Sequence, residues 1–121
     1  MSVRVNQIRI SKNFTLYEFE SPDTRTVKLD RDFLWKLQEL RDALGRPIIV
    51  HSGFRTDFWN TRKGGAPDSF HKSGKAGDIS SPGMSMKALG AKAASIGFRG
   101  VIVKDDHVHV DTRNKPYTVG L

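Results

Sequence analysis

Short segments with helical and strand patterns alternate along this chain, and this alternation limits the folds that it can adopt. The strongest pattern predicts one helix, which Asp30 caps and which Gly45 and Pro47 end. Its apolar residues recur at steps of four, three and four: Phe33, Leu37, Leu40 and Leu44. Capping patterns predict three shorter helices, near residues 15–19, 56–59 and 85–96.

Four short runs rich in β-branched residues predict strands at residues 48–51, 76–80, 101–103 and 107–111. Lys104-Asp105-Asp106 separates the last two runs, which indicates an antiparallel hairpin with an acidic turn. We therefore expect an α+β fold, in which a small, mainly antiparallel sheet carries helices largely on one side. With 121 residues, of which 37% are hydrophobic, the chain should form a single domain over residues 1–121.

The charge and composition narrow the function classes. The net charge is +7, from 20 Lys and Arg against 13 Asp and Glu, which favours an anionic partner. The basic residues are scattered and aromatic residues are only 9%, so we expect no nucleic-acid partner. The N-terminal ten residues lack the apolar core of a signal peptide, and no stretch predicts a membrane span. Because cysteine is absent, any metal ion must be bound by nitrogen and oxygen.

Two histidine-containing segments offer such ligands. The first runs from His71 to Asp78, and the second contains His107 and His109. A helical first segment would place its His and Asp about 10 Å apart along the axis, too far to share one ion. The segment must therefore curl, which Gly74 and Gly77 permit. In a strand His107 and His109 project from one face, and the spacing does not show which of them would bind the metal.

Each of these groups also has an ordinary structural explanation. His51 has no spaced partner and is better explained as a structural residue than as a ligand. A His-x-His pair occurs in any half-buried strand, Arg55 could be surface charge, and Asp106 is a common turn residue. The combination is more informative than any single member, because two imidazoles and one carboxylate leave zinc a fourth position for water.

Taken together, three motifs closely resemble the zinc D-Ala-D-Ala carboxypeptidases and the related phage endolysin peptidases, which share a core with the hedgehog signalling domain and the lysostaphin-type peptidases. The motifs are Ser52-Gly53-Phe54-Arg55-Thr56, Ser69-x-His71-x-x-Gly74-x-Ala76-x-Asp78 and Asp106-His107-x-His109-x-Asp111-x-Arg113. Asn13-Phe14-Thr15-Leu16-x-Glu18-Phe19 and Gly64-Gly65-Ala66 extend the similarity to compact members of this family. The resemblance covers nearly the whole chain, in the same order.

This resemblance implies a site and an activity. It makes His71, Asp78 and His109 the ligands of Zn²⁺, and it makes Asp106, His107 and Arg55 the catalytic residues. Asp106 takes the general-base position, where many relatives have Glu, and Gly77 stands where Ala is common. His107 and Arg55 would stabilise the transition state. The implied substrate is the peptide stem of peptidoglycan, cut between two D-alanines or between L-alanine and D-glutamate.

A non-catalytic zinc-binding interaction domain with the hedgehog-like fold is the alternative function. The carboxylate at Asp106 together with Arg55 argues against it, because an interaction domain needs neither. The apparent lack of an export signal and the short length indicate a phage or prophage product that reaches the bacterial cell wall by lysis or within a virion. We expect the protein to be a monomer.

Overall fold

A computed structural model of the protein describes residues 6–121, which contain a five-stranded sheet. The strands are β1 (Ile49–Ser52), β2 (Ala76–Ser80), β3 (Gly100–Val103), β4 (Val108–Asp111) and β5 (Tyr117–Val119). Their order across the sheet is β1-β2-β4-β3-β5. Only the β3–β5 pair is parallel, so the prediction of a mainly antiparallel sheet is confirmed. The sequence interpretation missed β5, a three-residue edge strand whose side chains are all exposed.

Three α-helices begin at the predicted caps. They are α1 (Arg31–Leu44), α2 (Asp57–Arg62) and α3 (Met86–Ile96). Asp30, Thr56 and Ser85 each accept a hydrogen bond from a backbone N–H in the first turn of the helix that follows. Gly45 ends α1 with a φ of 63°, a left-handed conformation that favours glycine. Two short 3₁₀ helices, Leu16–Phe19 and Phe70–Ser73, complete the helical structure of the described residues.

The hydrophobic core lies between one face of the sheet and the helices α1 and α3. The sheet and these two helices contribute most of its fully buried residues, and the 3₁₀ helix Leu16–Phe19 adds Phe19. Those from the sheet and the two helices are Phe33, Leu37, Leu40, Ile79, Leu89, Ala93, Val101, Val108 and Val110. Gly77 belongs to the core face of β2, since a Cβ atom built on it would lie 3.1 Å from Phe33 Cζ. The two longer helices therefore cover one side of the sheet, as predicted.

The opposite face of the sheet carries polar residues. In β4, Val108 and Val110 are fully buried in the core, whereas His109 and Asp111 alternate with them and point the other way. In β2, Asp78 alternates with the core residue Ile79 in the same manner. This second face is therefore where the predicted site can form. None of the helices within residues 6–121 has the length and apolar character needed to cross a bilayer.

Candidate metal centre

Three residues that were expected to bind metal meet on the polar face of the sheet. His71 comes from the 3₁₀ helix Phe70–Ser73, Asp78 from β2 and His109 from β4. Asp78 and His109 lie directly opposite each other in the β2–β4 register. One potential ligand atom of each residue lies within 4.8 Å of the others. The arrangement therefore has the donor types and the proximity that a divalent cation requires.

The connection between His71 and Asp78 curls, as the sequence predicted. Gly74 ends the 3₁₀ helix with a φ of 72°, and its N–H group donates to the His71 carbonyl. A Cβ atom at this position would also lie 2.3 Å from the carbonyl oxygen of Lys28. Glycine is thus required at residue 74 both by the backbone angle and by the close approach of another segment.

The hydrogen bonds of the two histidines orient one nitrogen of each ring toward Asp78. His71 Nδ1 donates to the Gly53 carbonyl at 2.7 Å, which leaves Nε2 facing Asp78 Oδ1 at 3.2 Å. His109 Nε2 donates to Asp111 Oδ2 at 2.7 Å, which leaves Nδ1 facing Asp78 Oδ1 at 3.3 Å. Each inner nitrogen must carry either a second proton or a lone pair directed at a cation. This donor set therefore fits a metal ion held by Nε2, Nδ1 and a carboxylate oxygen.

The electrostatics favour positive charge beside Asp78. Burial alone would raise the pKa of its carboxyl group, but hydrogen bonds from His109 and His71, together with their charge, outweigh burial and hold the pKa well below the usual range. Burial likewise opposes the charged form of His109, yet the hydrogen bonds to Asp111 and Asp78 raise its pKa. Asp78 is therefore ionised at neutral pH and available as an anionic ligand.

Arg55 lies next to the three residues and is almost buried, with 9% of its surface exposed. Its Nη2 atom donates to Asp78 Oδ2 at 3.0 Å, whereas His71 and His109 face the other carboxylate oxygen, Oδ1. Nε donates to Ser52 Oγ at 3.1 Å, and Nη1 lies 3.4 Å from Asn60 Oδ1. The guanidinium group is therefore held on three sides, with its remaining N–H bonds free of these contacts.

His107 and Asp106 form a pair at the edge of the site. His107 Nδ1 donates to Asp106 Oδ1 at 2.7 Å, and His107 Nε2 lies 3.8 Å from Asp78 Oδ2. The Asp106 side chain is 89% exposed, and the hydrogen bond from His107 lowers its pKa. The imidazole is therefore placed between the Asp106 carboxylate and Asp78.

All six predicted site residues line one cleft of about 750 Å³, a volume suited to a small ligand or a short peptide. One wall is the glycine-containing loop that follows α2, and the other is the turn between β3 and β4. Charged residues around the rest of the cleft are mainly basic: Lys63, Lys104 and Arg113, with Asp68.

Comparison with known proteins agrees with this geometry. A family model described as peptidase M15 matches residues 12–111, which include all six site residues. The chain belongs to the peptidase M15 family. The zinc D-Ala-D-Ala carboxypeptidase of Streptomyces albus G is 37% identical to it over 83 residues, which make up 64% of this chain and 32% of that protein. The chain therefore matches about a third of the length of this curated relative, and the family suggested by the sequence motifs is confirmed.

Two buried polar residues of this peptidase M15 chain were not recognised from the sequence. Asn60 is 2% exposed and contacts Arg55, but an Asn in a short helix is usually a surface residue, so its position gave no signal. Asp111 is fully buried and accepts a hydrogen bond from His109. It belongs to the third motif, and its spacing of two from His109 placed it on the same strand face without indicating a role.

Proposed function

We propose that this protein is a zinc-dependent peptidase that hydrolyses bonds in the peptide stem of peptidoglycan. The observation that carries the proposal is the convergence of His71 Nε2, Asp78 and His109 Nδ1, with the outer nitrogen of each ring already engaged as a donor. Membership of the peptidase M15 family and the similarity to a zinc D-Ala-D-Ala carboxypeptidase support the same reaction class.

His71, Asp78 and His109 would hold the zinc ion. When bound by three protein ligands, zinc lowers the pKa of a water molecule toward 7 and polarises a carbonyl group. Asp78 would be the anionic ligand, and His71 Nε2 and His109 Nδ1 would each direct a lone pair at the ion. The three side chains are largely buried, which excludes competing solvent from their side of the ion.

Asp106, His107 and Arg55 would handle the proton and the developing charge. Asp106 would accept a proton from the attacking water and return it to the leaving amine. Its exposed side chain must turn away from His107 to do so directly, or else the proton passes through His107, which lies between it and Asp78. His107 and Arg55 would donate to the oxyanion, a contribution that typically makes about a 100- to 1,000-fold difference in rate per donor.

The cleft suits an anionic peptide. Its rim carries Lys63, Lys104 and Arg113 against Asp68, and the whole chain has a net charge of +7. Stem peptides carry free carboxylates and wall polymers are anionic, so the positive field would concentrate the enzyme on the wall. The scissile bond is either D-Ala–D-Ala, which makes the enzyme a carboxypeptidase, or L-Ala–D-Glu, which makes it an endopeptidase.

Defined muropeptides and metal analysis test this function. The zinc-loaded protein should release peptides or D-alanine that mass spectrometry identifies, and a chelator should stop the release. H109A should lose zinc and activity together, whereas D106A should keep zinc and lose turnover. H107A removes an oxyanion donor on either route, so the D106A/H107A double variant distinguishes the two: the losses should multiply if Asp106 acts directly and should not if the proton passes through the imidazole. Zinc-loaded protein that releases no product would instead support the non-catalytic zinc-binding domain.

We also propose that the protein is a monomeric phage or prophage product that acts on the bacterial cell wall after lysis or from a virion. Light scattering tests the monomer. Genome context and lysis of host cells on expression test the origin, and a gene outside any phage cluster would contradict it.

A further inference from the structure

Asp111 is a fully buried carboxylate that no step of the proposed reaction uses. Its Oδ2 atom accepts the Nε2–H bond of His109 at 2.7 Å, on the side of the ring away from Asp78. The Asp111 oxygens also accept N–H groups of Arg113, so the carboxylate acts as an acceptor toward His109, and a ring that binds a cation has its proton on Nε2 and its lone pair on Nδ1.

Arg113 holds this carboxylate in place. Its backbone N–H and Nε donate to Asp111 Oδ1 at 3.0 and 2.9 Å, and Nη2 donates to Oδ2 at 2.6 Å. The guanidinium itself lies over two aromatic rings, with its Cζ atom 4.9 Å from the centroid of Phe70 and 5.0 Å from that of Tyr117. Both oxygens of Asp111 are therefore engaged, and the bidentate contact restricts rotation of the carboxylate.

Gly100 supplies the room for this carboxylate. It lies opposite Asp111 in the β3–β4 register, and a Cβ atom built on it would lie 2.1 Å from Asp111 Oδ1. Any larger residue at position 100 would push the carboxylate away from His109, because β3 cannot retreat without breaking the sheet. Gly100 in β3 and Arg113 after β4 therefore both help to hold the Asp111 carboxylate against His109.

We propose that Asp111, clamped by Arg113 and seated against Gly100, is a positioning residue that fixes the tautomer and ring orientation of His109 for metal binding. The inference rests on the proposed function only in taking His109 as a ligand. A carboxylate behind a metal-binding histidine typically changes metal affinity about 10- to 100-fold. A purely structural Asp111–Arg113 ion pair would affect folding and leave metal affinity unchanged.

Zinc affinity of the full chain, measured by competition with a chromophoric chelator, tests the proposal. In D111N the amide can donate to His109 Nε2, which favours the wrong tautomer. We expect D111N to bind zinc about 10- to 100-fold more weakly than the native protein. D105N is the matched control, since it makes the same charge change at an exposed residue of the same hairpin and should bind zinc within about twofold of the native protein. Nitrogen chemical shifts of the His109 ring in the zinc-loaded native protein should place the proton on Nε2.

The outcomes separate this proposal from the proposed function. Native protein that binds no zinc would contradict the metallopeptidase itself. Native protein that binds zinc, with equal affinity in D111N, would overturn the positioning role. If D111N does not fold, Y117L replaces it, because Tyr117 is half-exposed and its loss removes only one of the two ring contacts of Arg113. We expect a weaker but measurable loss of zinc affinity in Y117L, and an affinity equal to that of the native protein would overturn the proposal.

Discussion

Asn60 should matter for catalysis although it is not one of the six candidate site residues. It is buried in α2, where its Nδ2 donates to the Ala66 carbonyl at 2.8 Å and its Oδ1 faces Arg55 Nη1 at 3.4 Å. The first bond holds the loop that forms one wall of the cleft, and the second limits the position of the guanidinium. N60A removes both contacts, and we expect it to lower activity while leaving zinc binding unchanged.

The structure sets the expected magnitudes. The contact to Arg55 is too long to contribute much stability, so the cost of N60A comes mainly from the lost bond to Ala66. Ala66 is exposed, so its carbonyl can bind water instead. The expected loss in the free energy of unfolding is therefore near the lower end of the range for a broken hydrogen bond of a buried group, about 1 kcal/mol. That loss corresponds to a fall in melting temperature of about 2–6 °C. A displacement of Arg55 by about 1 Å should lower kcat about 10- to 100-fold.

Turnover of a defined muropeptide and zinc content per chain, measured on the same samples, check this prediction. T61A is the control, because Thr61 is the exposed neighbour of Asn60 on the same helix and also loses one side-chain hydrogen bond. G65A probes the same contact from the other side, since its Cβ would lie 2.1 Å from Asn60 Oδ1, and it should behave like N60A. Full activity in N60A, or loss of zinc in proportion to activity, would refute the reasoning.

Two further predictions concern the core and the pH dependence of stability. G77A should crowd Phe33, and F33L should make the effect of G77A on the free energy of unfolding more favourable in a double-mutant cycle of urea denaturation; additive effects would contradict the crowding. In metal-free protein, the low pKa values of Asp78 and Asp111 stabilise the fold above about pH 4. The melting temperature should therefore fall as the pH drops further. The raised pKa of His109 acts oppositely, and its contribution is lost as the pH rises above about 6.5. A melting temperature that does not change between about pH 5 and pH 3 would contradict the predicted contribution of Asp78 and Asp111.

Local sequence patterns predicted most of the fold because the responsible interactions are local. Asp30, Thr56 and Ser85 cap the helices whose first turns they precede, and the turn from Lys104 to Asp106 closes the predicted hairpin. β5 escaped prediction because it has three residues, all exposed, and pairs with β3 from beyond a proline. A strand of this kind forms only because it pairs with a neighbouring strand, so its own sequence carries little signal for strand structure.

The six candidate site residues were found from the sequence, but the residues that orient them were not. Spacing alone left His107 and His109 open, and the family resemblance assigned His109 to the metal beside His71 and Asp78; the structure brings these three together. The acceptors behind them are the Gly53 carbonyl and Asp111, and a backbone carbonyl has no sequence signature. Which neighbours a side chain contacts depends on tertiary packing, so the supporting contacts could be identified only from the coordinates.

The same packing that forms the core also sets the spacing of two ligands. Asp78 and His109 face each other because β2 and β4 pair in a register that buries Ile79, Val108 and Val110 on the other side of the sheet. A slip by one residue would expose those apolar side chains and move the ligands into the core, at a cost of several kcal/mol. The relative position of this ligand pair is therefore fixed by hydrophobic burial, without any metal. Only His71 lies outside the sheet, and the turn at Gly74 brings it to the other two ligands.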